Sequence, residues 1–453
     1  MVKRLTLNNG IRIILEYMPI LETVSVGFFF ITGSANETEK ENGYSHFIEH
    51  MLFKGTNDMT SKEIVRYIEG VGGVFNAYTS RHFTSFYINI ISKYFDRAID
   101  TLSNIALNSA FREEDIKKEK KVIIEELKMT SDSPEEIMTN QFFAKAYKGT
   151  SMQFPIGGNI KNIKNISRDK ILNYFQNHFN SNNLIVSIAG NFNVKSAIDK
   201  LSSLELKENV LKADEELPFF YKSVSKEKSD LNQVYFALIT PSYNAKDKRK
   251  YTMNIVNDIF GGSSYSRLFQ SIRENKALCY SIYSNNSAFL NGGTFDIFGS
   301  TSLDKYEETL KSIYSEIERL LDERITKEEL EEAKESYKSS MSFSKFSASF
   351  AMNKNARNEL YFSKYLSYKD LYNTIDKINI NDINKAIEDI FQNKKFFLTA
   401  VGPKGTKKIT DKVSKKLKLN WLIFNFLFVM VFPTDKRIRI IAPKVLKKLI
   451  IHS

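Results

Sequence analysis

The segment His46-Phe-Ile-Glu49-His50 gathers within five residues the side chains that hydrolytic metal chemistry needs. It holds two of the chain's five histidines, in a run from Gly43 to about Phe53 that reads as helix, with Phe47, Ile48, Met51 and Leu52 as its apolar positions. On a helix, positions i, i+3 and i+4 share one face, so both imidazoles and the Glu49 carboxylate project to the same side. Zinc takes imidazole nitrogen readily, and an adjacent carboxylate can serve as general base toward a water that the metal acidifies. The order His-x-x-Glu-His is the inverted form of a zinc-hydrolase signature. The plainer alternative is a pair of core histidines sharing a helix with a salt-bridged glutamate.

Two histidines leave a catalytic zinc one protein ligand short, because three plus water is the usual set. The stretch Glu113 to Thr130, EEDIKKEKKVIIEELKMT, offers carboxylates on a second helix. Ile116, Glu119, Val122, Ile123, Glu126 and Met129 fall on one stripe at helical spacing, while Lys118, Lys121, Glu125 and Lys128 fall on a charged one. A carboxylate on an apolar stripe is costly unless paired or metal-bound. Glu126 is therefore expected as third ligand, and Glu119 as the partner that orients a ligand imidazole.

These helices belong to a chain that looks internally duplicated, with copies about 208–214 residues apart. Val26 to Ser34 recurs in outline as Val234 to Ser242, and the strand Leu184–Gly190 as Phe396–Gly402. Each of the latter strands follows a helix with Phe-Gln-Asn, at 175–177 and 391–393, and long Glu/Lys-rich helical patterns lie at 113–130 and 326–345. Strands alternating with long helices predict two like lobes of α/β or α+β type. The N-terminus reads as a hairpin turning at Asn9-Gly10. The lobes are expected at 1–207 and 229–403, with a charged linker at 208–228.

Gly43 to Thr56 (GYSHFIEHMLFKGT), a glutamate 76 residues after His50 within EKKVIIEE, and the two-lobe duplication together resemble the insulinase/pitrilysin superfamily of zinc metallopeptidases, above all its short bacterial and mitochondrial processing members. The resemblance covers about residues 3–403 and implies an α+β fold of two duplicated α/β-sandwich lobes facing one another across a cleft. It implies one zinc per chain on His46, His50 and Glu126, Glu49 as general base, and Glu119 in support. Gly72 to Ser80 matches the family's edge strand, which implies that Asn76 and Ala77 contact a peptide added as an extra strand. At an offset of 208 the positions of His46, Glu49 and His50 carry Asn254, Asn257 and Asp258, so the second lobe cannot hold metal this way. That lobe instead contains Arg273 and Tyr280 at the family's Arg-x6-Tyr spacing, which implies donors to the oxyanion of a tetrahedral intermediate. The resemblance further implies a zinc-dependent endopeptidase acting on peptides or unfolded polypeptide, working as a homodimer or with a related subunit. A non-catalytic subunit of the same fold is the alternative, and the complete set of ligands, base and Arg/Tyr pair argues against it.

Composition narrows the partners. The formal net charge is +12, but thirteen of the 65 basic residues and two of the 53 acidic ones lie in 404–453, leaving a nearly neutral body of 52 basic and 51 acidic residues. The neutral body argues against nucleic acid as a partner, which the basic charge of the whole chain would suggest. A single cysteine, Cys279, rules out an internal disulfide framework and points to a reducing, cytoplasmic setting. The tail 404–453 places sixteen uncharged residues, Leu419 to Thr434, between basic flanks. That is short for a membrane span and suits a peripheral, interfacial contact with an anionic membrane.

Overall fold

The computed structural model describes residues 2–207, 217–393 and 395–415. The first sheet comprises β1 (Val2–Thr6), β2 (Arg12–Tyr17), β3 (Thr23–Phe30), β4 (Val74–Thr79), β5 (Thr84–Ile91) and β6 (Leu184–Gly190), in the order β1-β2-β6-β3-β5-β4. The second comprises β7 (Ser223–Glu227), β8 (Val234–Pro241), β9 (Ser281–Ala288), β10 (Gly293–Thr301) and β11 (Phe397–Gly402), in the order β7-β11-β8-β10-β9. The orders correspond strand for strand once β1 is set aside, including the one parallel pair in each, β2 with β6 and β7 with β11. Pairing places Val24 opposite Gly190, and Val234 lies beside Gly402. The central strands are thus equivalent at an offset of 210, two more than the sequence match suggested, a shift that preserves which face each side chain takes.

The helices repeat too. The first half has α1 (Tyr44–Leu52), α2 (Ser61–Glu69), α3 (Phe95–Asn108), α4 (Glu113–Thr130), α5 (Pro134–Ala146), α6 (Ile160–Asn165), α7 (Arg168–His178) and α8 (Val194–Ser202). The second has α9 (Arg249–Phe260), α10 (Tyr306–Glu323), α11 (Lys327–Ser344), α12 (Ala348–Phe362), α13 (Tyr368–Asp376) and α14 (Ile380–Phe391). An offset of 214 carries α4 onto α11 and the start of α5 onto that of α12. The fold is α+β, in two lobes.

One face of each sheet packs on its own helices; the other is covered by a helix from the opposite half. Val24, Val26, Phe28 and Phe30 of β3 point into the first lobe's main core, while Phe29 packs with Met352 and Ala356 of α12. Cover on both faces is why β3 reads as an unbroken apolar run rather than an alternating one. Gly27 permits the approach, since a Cβ there would lie 2.7 Å from Met352 Sδ. Reciprocally, Phe142, Phe143 and Ala146 of α5 pack on Ala237, Ile239 and Phe397 of the second sheet. The exchange is pinned by Glu359 of α12, which is buried and accepts from Arg4 Nη2 at 3.0 Å and from Arg4 Nε, with Arg12 Nη1 3.9 Å away. On the second sheet, the buried Asp296 of β10 shares the face covered by α5 with Phe298 and accepts from Thr294 Oγ1 at 3.1 Å. Burial pushes its carboxyl up to about 7.

Two boundaries differ from expectation. The stretch read as linker contains β7, drawn into the second sheet by parallel pairing with β11. The basic tail does not begin as an appendage, because residues 406–415 are helical, Val413 joins the second core, and Thr410 Oγ1 lies 3.2 Å from Tyr306 Oη. The apolar stretch 419–434 lies outside the described residues. Among the described residues no helix is long and apolar enough to cross a membrane.

Candidate metal centre

Helix α1 forms where the sequence predicts, burying Phe47, Ile48, Met51 and Leu52 and turning His46, Glu49 and His50 toward α4 and β4. On α4, Ile116, Glu119 and Ile123 are buried. Val122 and Met129 are not, at 48% and 75% exposure, which corrects the expected stripe. The helix seats through Ile116, Ile123 and, in part, Leu127, so Glu126 lies at the margin of the buried face, between Val122 and Met129 on its open side.

The expected ligands converge. His46 Nε2 lies 3.6 Å from Glu126 Oε1 and His50 Nε2 lies 3.4 Å from Glu126 Oε2, with one donor atom from each of the three residues within 4.8 Å of the others. Atoms sharing a tetrahedral zinc at 2.0–2.1 Å are about 3.3 Å apart, so the cluster needs little adjustment to close on an ion. Burial, reinforced by the neighbouring His50, pushes His46 down to about 4, leaving it the neutral imidazole that coordination requires. Burial would lower His50 as well, but its hydrogen bond to the Glu119 carboxylate and the charges of Glu126 and Glu49 outweigh it and raise its pKa.

Around these sits the supporting set. Glu119 Oε2 lies 3.1 Å from His50 Nδ1 and Glu119 Oε1 is 2.7 Å from Lys54 Nζ. With Nδ1 engaged as donor, the His50 lone pair is left on Nε2, the atom facing Glu126. Although burial opposes it, the donors His50 and Lys54 hold the Glu119 carboxyl below its usual range. Glu49 Oε2 accepts from Thr79 Oγ1 at 2.6 Å. Burial raises its carboxyl, against the pull of Thr79 and His50. Lys54 and Thr79 were not singled out from sequence, although Lys54 stands one turn beyond His50 and Thr79 closes the strand containing Asn76 and Ala77.

That strand, β4, is a sheet edge paired on one side by β5, with Asn76 opposite Tyr87 and Ala77 opposite Phe86. Ala77 N donates to Asn76 Oδ1 at 2.8 Å. Arg273 lies in a π-helical turn (Phe269–Asn275), its guanidinium 4.6 Å from the Phe269 ring and 5.0 Å from that of Tyr280, which is 76% exposed. Arg273 and Tyr280 are thus brought to each other, and among the described residues neither bonds to the metal cluster. Cys279 beside them is buried, with its thiol pushed up to about 11 by burial, which leaves it inert.

In the second lobe the residues matched from sequence at the 208-residue offset take part in hydrogen bonds among side chains. Asn254 Nδ2 donates to Tyr337 Oη at 3.1 Å, Asn286 Nδ2 to Asn254 Oδ1 at 2.8 Å, and Ser284 Oγ to Asn257 Oδ1 at 2.8 Å. At the 214-residue offset Glu119 and Glu126 are replaced by Ala333 and Ser340. None of these positions carries a histidine, and the carboxylate among them, Asp258, accepts from Tyr265 Oη at 3.0 Å.

Residues 12–159 match the family described as Insulinase (Peptidase family M16), and residues 165–337 match the Peptidase M16 inactive domain. The chain is 31% identical over 408 residues to the uncharacterized zinc protease YmxG of Bacillus subtilis, covering 89% of this chain and 99% of that protein. It is 33% identical over 396 residues to an uncharacterized zinc protease of Rickettsia felis, covering 85% and 94%. The chain belongs to the insulinase family, peptidase family M16. A protease from Helicobacter pylori shares the fold, with a TM-score of 0.83 at 19% identity over 89% of this chain and 99% of that one. So does a peptidase M16 inactive domain from Pseudomonas fluorescens, with a TM-score of 0.82 at 17% identity over 89% and 98%.

Proposed function

We propose that this member of a zinc-peptidase family is an active endopeptidase for peptides and unfolded polypeptide segments. The observation that carries the reading is the convergence of His46, His50 and Glu126 within 4.8 Å of one another, with Glu49 on the same face of α1. One zinc per chain held by those three residues would supply a Lewis acid that polarises water and the scissile carbonyl. Glu49, oriented by Thr79, accepts the proton of the attacking water and returns it to the leaving amine. Glu119 fixes the His50 tautomer. The free edge of β4 takes the substrate as an added strand, with Asn76 and Ala77 against its backbone, which favours extended chains over folded ones. Arg273 and Tyr280, packed as one unit and open to solvent, donate to the oxyanion when the second lobe meets the bound peptide. Pairing with a second copy or a related subunit completes the working assembly.

Chelation and reconstitution test this. Cleavage of a quenched peptide library should be lost on chelation and restored by zinc, with an unfolded protein cut faster than its folded form. Zinc-loaded protein that cleaves nothing in the library would favour the non-catalytic subunit.

A further inference from the structure

The helix that carries His46, Glu49 and His50 has little of its own to begin with. Its cap is Gly43, at φ 101°, with no side chain to offer, and its first turn has no acidic residue. The leading N–H groups of a helix need acceptors from elsewhere. They find one in Glu37, six residues before the cap and 3% exposed. Its Oε1 accepts from Ser45 N at 2.7 Å, and its Oε2 from Gly43 N at 2.8 Å and Asn42 Nδ2 at 3.0 Å. The same Asn42 amide donates to Pro155 O at 2.9 Å, which ties the turn 155–158 to the carboxylate. That turn abuts the metal centre. A Cβ on Gly157 would lie 3.0 Å from Leu127 Cδ2 of α4 and 3.9 Å from His46 Nδ1, and one on Gly43 would lie 2.9 Å from Gly158 Cα.

All three partners of Glu37 are donors, and they engage both oxygens. A carboxylate satisfies them, whereas an amide of the same size must turn an N–H toward one set, and an aspartate is one methylene short. Negative charge at the start of α1 is favoured by the helix dipole as well. We infer that Glu37 is a positioning residue for the metal centre, setting α1 and the 155–158 turn together so that His46 meets Glu126; this rests on the zinc reading above. The role is separable from general stability, because Glu37 grips the one element that carries both histidines.

The test measures zinc affinity by competition with a chromophoric chelator, and ligand geometry by the visible spectrum of the cobalt-loaded protein. Wild type, Glu37→Gln and Thr60→Ala are compared. Thr60 forms an ordinary capping box with Glu63 on α2, so its loss weakens the same lobe without touching α1. Glu37→Gln is expected to weaken zinc binding about 10- to 100-fold and to alter the cobalt spectrum, while Thr60→Ala changes neither. Glu37→Gln binding zinc as tightly as wild type, or Thr60→Ala losing as much affinity, overturns the proposal. Should Glu37→Gln not fold, Glu37→Asp is judged by the same outcomes. Wild type that binds no zinc overturns the underlying metal reading first, and is recognised before any variant is compared.

Discussion

Glu119→Gln replaces a carboxylate that serves two donors with an amide that can serve one. The Glu119 side chain is buried between His50 Nδ1 at 3.1 Å and Lys54 Nζ at 2.7 Å, so the amide oxygen must choose. The ammonium is the stronger claimant, because charge-assisted bonds are roughly twice as strong as neutral ones. The amide N–H2 then faces His50 Nδ1 and moves the imidazole proton to Nε2, the atom 3.4 Å from Glu126 Oε2 that would otherwise hold the metal. Loss of such a ligand-orienting partner weakens metal binding about 10- to 100-fold, or about 1.4–2.8 kcal/mol. Lys54→Met alone should change little. Combined with Glu119→Gln it frees the amide oxygen for His50, so the double variant should bind zinc more tightly than Glu119→Gln. The assay is chelator competition on all four proteins at one pH. Wild-type affinity in Glu119→Gln, or a double variant no better than that single one, refutes the tautomer argument.

Other outcomes follow from the junction between lobes and from the tail. Asp296 has its carboxyl raised to about 7, so its burden on stability is absent below about pH 4 and grows as pH rises through 7. Asp296→Asn should therefore be more stable than wild type at pH 8, by an amount on the order of 2–4 kcal/mol, with the difference vanishing near pH 4 in urea unfolding; a difference that does not vary with pH contradicts this. Glu359→Ala strands Arg12 and should cost about 3 kcal/mol, with faster amide exchange along α12; unchanged exchange there contradicts the tie. Because residues 406–415 belong to the second lobe, deletion of 416–453 should leave folding intact and abolish cosedimentation with anionic liposomes. Equal sedimentation of full-length and truncated chains would end the membrane reading of the tail.

Much of the site was legible because helical spacing is a strong constraint on a rare residue. Two histidines four apart fix a face, and the period of α4 separates Glu119 and Glu126 from Glu125. Periodicity was less informative about Val122 and Met129, since an exposed apolar residue and one in a core look alike in sequence. Lys54 and Thr79 were missed for a different reason: each acts through one hydrogen bond to a carboxylate distant in the chain or on another element, which no local pattern records. Glu37 sits only nine residues from His46, yet its role depends on a Gly43 cap whose weakness shows only in the folded turn. The duplication was visible in its strands, but the exchange of α5 and α12 between lobes was not, because a helix carries no mark of which sheet it will cover. β7 was hidden by its charged surroundings, an edge strand needing few apolar residues.

Glu49→Gln, assayed beside wild type for metal content and peptide cleavage in the same preparations, tests the proposed zinc chemistry most directly. Both proteins should hold about one zinc per chain, since Glu49 is not among the ligands, while cleavage by Glu49→Gln falls by roughly 10²–10⁴-fold. Wild type without zinc, or Glu49→Gln cleaving as fast as wild type, would contradict it.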